Sequence, residues 1–271
     1  MNSIPKDRFL IIIGAMKSGT TSLFDKLERT KGICPPIGDK EPHYFSLYYD
    51  RSAYEELWDF DSKKHSWALE ASTTYTIYPR ITGIPERMLG YGVKPKLLYI
   101  LRNPLDRIVS EHNFCRGKAW SDQSLTLTDP HFYNVSNYFL QLEQFRKTWG
   151  ENKVELLDFE ELKNDSDRML EKLCKELEVE YKPIEFREEY VHKTTIPTRA
   201  QDIAYRFRFI RKAVNLLPAS VRRGINNLPL LGNRKKAELS SLQKEQLHEI
   251  LKDDMRRLKD AYGFPVEKWG F

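Results

Sequence analysis

A lysine set among small residues, bounded by glycines and placed between an apolar run and a helix, is a combination suited to binding an anion, with a merely structural turn as the alternative. Gly14-Ala15-Met16-Lys17-Ser18-Gly19 supplies it, and the hydroxyls of Thr20, Thr21 and Ser22 follow directly. Backbone N–H groups at a helix start, with the positive end of the helix dipole behind them, favour a phosphate or a related group. The nucleoside triphosphate version of such a loop reads G-x-x-x-x-G-K-[ST]. Gly14 and Gly19 keep that spacing, but Thr20 stands where the lysine belongs and Lys17 lies inside the loop. The anion served here therefore need not be a γ-phosphate.

A second anion-binding set follows the apolar run Lys96 to Leu101. Arg102 leaves it directly, and Ser110 lies eight residues later on the helix that begins near Pro104. A guanidinium offers a planar fork of donors to phosphate, and a serine hydroxyl adds one more. Two such sets imply a nucleotide with phosphates at two separate positions. Pairing of Arg102 with Asp106 is the structural alternative. No strand is read as an apolar run ending in the aspartate that would hold magnesium, so no metal is expected.

The elements that position these residues are strands alternating with helices. Phe9 to Ile13 is continuously apolar and rich in β-branched residues, as in a strand buried on both faces of a parallel sheet. Strands are likewise expected at Lys96 to Leu101 and Val154 to Phe159, and a helix from about Ser166 to Leu177 with Met169, Leu170, Leu173 and Leu177 as its apolar stripe. Ile108 and Val109 are expected to face the sheet. Ser240 and Gln243 have capping-box spacing before a helix whose apolar face is Leu247, Ile250, Leu251 and Leu258. The fold class is thus α/β, a parallel sheet flanked by helices with a P-loop-like turn, and residues 1–271 are expected to form one domain. Residues 33–87 and 116–131 read as irregular.

Composition narrows the class. The chain has 271 residues, 40% hydrophobic and 31% charged, with a net charge of +5, which excludes a disordered chain. No window approaches a transmembrane helix and the N-terminus lacks an apolar secretion signal. The three cysteines form no C-x-x-C pair, so a reducing, cytoplasmic setting is expected. From Arg199 to Lys236 there are ten basic residues against one acidic, Asp202. Such a block suits an anionic partner or a membrane surface, or is simply a solvated helix face.

The segment 14–22 resembles the 5′-phosphosulfate loop of sulfotransferases that use 3′-phosphoadenosine 5′-phosphosulfate (PAPS). Arg102-Asn103-Pro104-Leu105-Asp106-Arg107-Ile108-Val109-Ser110, with Phe114 downstream, resembles their 3′-phosphate motif. Lys40-Glu41-Pro42-His43-Tyr44-Phe45 and Leu69-Glu70-Ala71-Ser72 are similar to segments of the heparan sulfate sulfotransferases and their bacterial relatives. Ser46 replaces the aspartate and Ala71 the lysine of the glycosaminoglycan enzymes, which argues against heparan as acceptor.

The resemblance implies a sulfotransferase fold and in-line transfer of a sulfuryl group from PAPS to a hydroxyl, leaving adenosine 3′,5′-bisphosphate (PAP). It implies Lys17, Ser18, Gly19, Thr20, Thr21 and Ser22 around the 5′-phosphosulfate, with Lys17 also at the bridging oxygen. Arg102 and Ser110 would meet the 3′-phosphate; apart from the resemblance, the basic segment 199–236 could lie as a cationic lid over the nucleotide, with Arg234, Lys235 and Lys236 near that phosphate, or could instead meet a membrane surface or an anionic acceptor. Glu41 is the candidate base, with His43 either orienting it, serving as base itself, or merely packed. Pairing of Glu41 with Lys40 is its structural alternative, and Glu70 and Ser72 are either acceptor-side or structural. The partner is a hydroxyl-bearing small molecule or glycan, with no nucleic acid expected and peripheral membrane contact allowed. Two other classes stay open: a small-molecule kinase with an atypical P-loop, and a non-catalytic nucleotide- or polyanion-binding protein.

Overall fold

The computed structural model describes residues 4–49, 54–116, 124–150, 153–183 and 236–271. Five strands form one sheet: β1 (Phe9–Gly14), β2 (Ile33–Cys34), β3 (Trp67–Glu70), β4 (Lys96–Leu101) and β5 (Val154–Asp158). Their order is β2-β3-β1-β4-β5 and every neighbouring pair is parallel. The chain steps from β1 to one side of the sheet, then crosses to the other at β4. That reversal opens a crevice at the carboxyl ends of β1 and β4, the place where open α/β sheets hold ligands.

Alternation of side chains explains why the apolar runs are unbroken. In β1, Phe9, Ile11 and Ile13 enter one core while Leu10 and Ile12 enter the other, and all five are 0% exposed. The first core is closed by α2 (Ile84–Tyr91), α5 (Tyr138–Trp149) and the C-terminal helix α8 (Ser241–Tyr262). The second is closed by α1 (Thr20–Leu27), α6 (Phe159–Asn164) and α7 (Ser166–Glu176), the last through Met169, Leu170 and Leu173. Each such side chain contributes roughly 1.5–3 kcal/mol by leaving water.

Three expectations need correction. Ile108, on α3 (Pro104–Cys115), does not face the sheet: it packs with Leu247 and Leu251 of α8 and Phe132 of α4 (Pro130–Ser136). The capping box of Ser240 and Gln243 is present, but Ile250 is 37% exposed and Met255 takes its place among Leu247, Leu251 and Leu258. Residues 33–87 and 116–131 are more regular than expected, since the first holds β2, β3 and α2 and the second runs into α4. Strands of two and four residues are too short to show a period.

One long-range contact fixes the C-terminal helix to the middle of the chain. Asp254, on α8, accepts from the backbone N–H groups of Phe139 and Leu140, each at 2.9 Å. It thus caps α5, whose own N-cap residue Asn137 supplies no side-chain bond. Burial pushes its carboxyl up to about 6.

Candidate active site at the carboxyl edge of the sheet

The loop between β1 and α1 is shaped by close approach. A side chain on Gly14 would lie 2.2 Å from Oγ1 of Thr76, which donates to the carbonyl of Ile13 at 2.7 Å. Only glycine fits there. Lys17 has φ 69 and Gly19 φ 86, so the loop turns twice through the left-handed region before α1 begins. No side chain caps α1, whereas Asn103, Asp158 and Asp165 cap α3, α6 and α7. Among the described residues no N-cap side chain answers the first N–H groups of α1, so they are available to an anion. Ser18 is fully buried and Thr20 nearly so, while Thr21 and Ser22 are half-buried.

The two anion-binding sets meet. Nη1 of Arg102 donates to the carbonyl of Lys17 at 3.0 Å, and the Lys17 ammonium lies 4.2 Å from the centre of the Phe114 ring on α3. The Arg102 guanidinium stacks over Phe159 at 4.7 Å and is not turned toward Asp106. Its Nε is buried without a partner among the described residues. A buried guanidinium donor left unmatched fits an incoming phosphate, because such a group otherwise costs about 1–3 kcal/mol. Tyr138 steadies the arginine by donating to its carbonyl at 2.7 Å. Arg107, wholly buried, pairs with Glu111 at 2.6 Å and reaches the carbonyl of Met16 at 3.4 Å, a second brace on the loop that sequence reasoning missed. Ser110 is half-buried on α3. Arg234 and Lys235, with the basic block from Arg199 up to Lys235, lie outside the described residues.

Glu41 and His43 arrive at the same edge because Lys40 accepts from Ala71 N–H at 2.8 Å, extending the end of β3. Oε1 of Glu41 pairs with Lys40 at 2.7 Å, so that structural alternative is realised. Its Oε2 accepts from the hydroxyl and N–H of Thr73 at 2.8 and 3.3 Å and lies 4.0 Å from Nε2 of His43. His43 has φ 55; its N–H donates to Ser72 Oγ at 3.0 Å and its Nδ1 meets Thr74 Oγ1 at 2.9 Å. Burial lowers the imidazole pKa, against the opposing pull of Glu41 and Asp39. Glu70 and Ser72 are both 0% exposed, so they support the edge from beneath. Burial pushes the Glu70 carboxyl up to about 8, and the nearby Glu41 charge adds to this. Thr73 and Thr74 carry no motif of their own; the run of hydroxyl residues Ser72-Thr73-Thr74 right after β3 is their visible signal in the sequence.

β5 does end in an aspartate, contrary to expectation. Asp158 Oδ1 caps α6 by accepting from Glu160 N–H at 3.1 Å, and Oδ2 pairs with Lys268. Both oxygens are thus committed to structure. Among the described residues one trio, Glu111, Cys115 and His131, brings metal-ligand atoms within 4.8 Å of one another. Arg107 on Glu111 and Arg80 on His131 already supply positive charge there.

Residues 7–259 match the family model described as a sulfotransferase domain. The chain belongs to the sulfotransferase family. Among solved structures, this sulfotransferase is similar to one from Alicyclobacillus acidocaldarius, with 21% identity and a TM-score of 0.64 over 99% of this chain and 100% of that one. A mouse sulfotransferase complexed with PAP is 18% identical over 95% of this chain and 90% of that one, with a TM-score of 0.46. The sulfotransferase domain from the curacin biosynthetic pathway is 16% identical over 92% and 99%, with a TM-score of 0.49. The first carries the fold comparison: a parallel five-stranded sheet flanked by helices is the sulfotransferase fold. Among the described residues no helix is long and apolar enough to cross a membrane.

Proposed function

We propose that this sulfotransferase takes its sulfuryl group from PAPS and passes it to a hydroxyl of a small-molecule or glycan acceptor. The observation that carries this is the junction of Lys17 and Arg102, which sets an uncapped helix start beside a guanidinium with an unmatched buried donor. One phosphate at each position is what a 3′,5′-bisphosphorylated nucleoside offers. On this reading Lys17, Ser18, Gly19, Thr20, Thr21 and Ser22 surround the 5′-phosphosulfate, and Arg102 and Ser110 hold the 3′-phosphate. Residues 1–271 act as one domain.

In the transfer the acceptor oxygen attacks sulfur in line, forming the new S–O bond as the bond to the 5′-phosphate oxygen breaks. That oxygen leaves with the electron pair, and Lys17 stabilises its growing charge. The hydroxyl proton passes to Glu41, with His43 completing the acceptor side. All of these steps use side chains of the chain itself. PAP should bind and raise the melting temperature without magnesium, more strongly than AMP or magnesium-ATP. Transfer of labelled sulfate from PAPS in an acceptor screen is the direct test. Equal affinity for PAP and AMP would remove the 3′-phosphate site.

A further inference from the structure

Two hydroxyls close a ring of hydrogen bonds on His43. Nδ1 of the imidazole meets Thr74 Oγ1 at 2.9 Å, Thr74 Oγ1 meets Ser46 Oγ at 2.7 Å, and Ser46 Oγ donates to the carbonyl of His43 itself at 3.1 Å. The ring begins and ends on one residue. It is held open for this by the left-handed backbone of His43, at φ 55, and by the N–H of His43 bonding Ser72 Oγ on the far side.

Proton counting gives the ring a direction. A carbonyl oxygen only accepts, so the single Ser46 proton goes to it. Ser46 must then accept at its other contact, which commits the Thr74 proton to Ser46. Thr74 is left with only a lone pair for the imidazole, and Nδ1 must carry the hydrogen. We propose that Thr74 and Ser46 are positioning residues that fix the ring proton of His43 on Nδ1 and turn Nε2 into an acceptor facing Glu41. Serine at position 46 is essential to this arrangement, because an aspartate there would have no proton to pass to the carbonyl.

The consequence bears on the acceptor side of the reaction proposed above, on which its functional meaning rests. Nε2 of His43 and Oε2 of Glu41, 4.0 Å apart, are then both acceptors, and an incoming hydroxyl is the donor that belongs between them. In the opposite tautomer Nε2–H would point at Glu41 and compete with the substrate for the carboxylate. The charged groups facing the imidazole are Glu41, Asp39 and Lys40.

Nitrogen-15 NMR of the unliganded full chain, with His43 assigned through the backbone, reads the tautomer directly and needs no turnover. The expected result is Nδ1–H in the native chain. Thr74→Val and Ser46→Ala should each raise the Nε2–H population, and Thr74→Val should cut kcat by about tenfold or more while PAP affinity is kept. An Nε2–H tautomer in the native chain would overturn the proposal even if neither variant folds. So would an unchanged tautomer in both variants. A chain with Nδ1–H and no transfer from PAPS would refute the donor assignment and leave the ring standing.

Discussion

Arg102 donates from Nη1 to the carbonyl oxygen of Lys17 across 3.0 Å, which ties the loops that follow β1 and β4 to each other. On the proposed reading each strand end offers half of a nucleotide site. The bond makes the spacing between the halves a property of the sheet, since β1 and β4 are neighbours in it.

Arg102→Ala should weaken PAP binding by about 2 to 4 kcal/mol, the range for removing one member of a charge-assisted pair. AMP binding should fall less, because the lost partner is the 3′-phosphate. Calorimetric titration with both nucleotides checks this, and equal losses would show that Arg102 acts only by shaping the loop.

Lys17→Ala should lower turnover by on the order of a hundredfold to a thousandfold, the scale for one preorganised stabiliser of developing charge. Affinity for PAP should fall less. Comparing kcat with the dissociation constant separates the two effects; equal factors would make Lys17 a ground-state anchor.

Glu41→Gln preserves shape and should leave PAP binding nearly intact while cutting turnover by roughly a hundredfold to ten-thousandfold. Wild-type turnover, measured where chemistry limits the rate, would dismiss Glu41 as base. The proposed acceptor side requires His43 to be neutral, and burial lowers its pKa. Activity attributable to His43 should therefore fall with acid only below the ordinary value of 6.5.

Glu70 sets a stability signature independent of turnover. Its carboxyl, pushed from 4.5 to about 8 by burial, holds a proton in the folded chain that the unfolded chain releases. The folded state thus binds more protons across that window, and stability drops as pH rises through it. Glu70→Gln should flatten the decline in melting temperature between about pH 5 and pH 8. Parallel slopes for the two proteins would mean that Glu70 ionises freely.

Much of this was legible in the residues. β1 and β4 announced themselves by apolar runs, because burial on both faces demands them, and the loop at Lys17 and the arginine at 102 followed from their places after strands. β2 and β3 did not, being shorter than one readable period. Glu41 and His43 were recognisable by resemblance alone, whereas the hydroxyls of Ser72, Thr73 and Thr74 that hold them come from 29 to 32 positions away. Such pairings depend on β2 lying beside β3, which no local pattern encodes. Asp158 does not stand out as a strand-ending aspartate, since the two leucines before it give little signal beside the charged Glu155.

Asp254 has a meaning for the order in which the chain is made. The N–H groups of Phe139 and Leu140, second and third in α5, find their acceptors in a residue 115 and 114 positions further on. While the polypeptide is emerging from the ribosome, that helix start has no partner until α8 has been synthesised and has docked. A nascent or shortened chain lacking residue 254 carries two unanswered donors against its central core, so loss at the C-terminus is felt at Phe139 and Leu140.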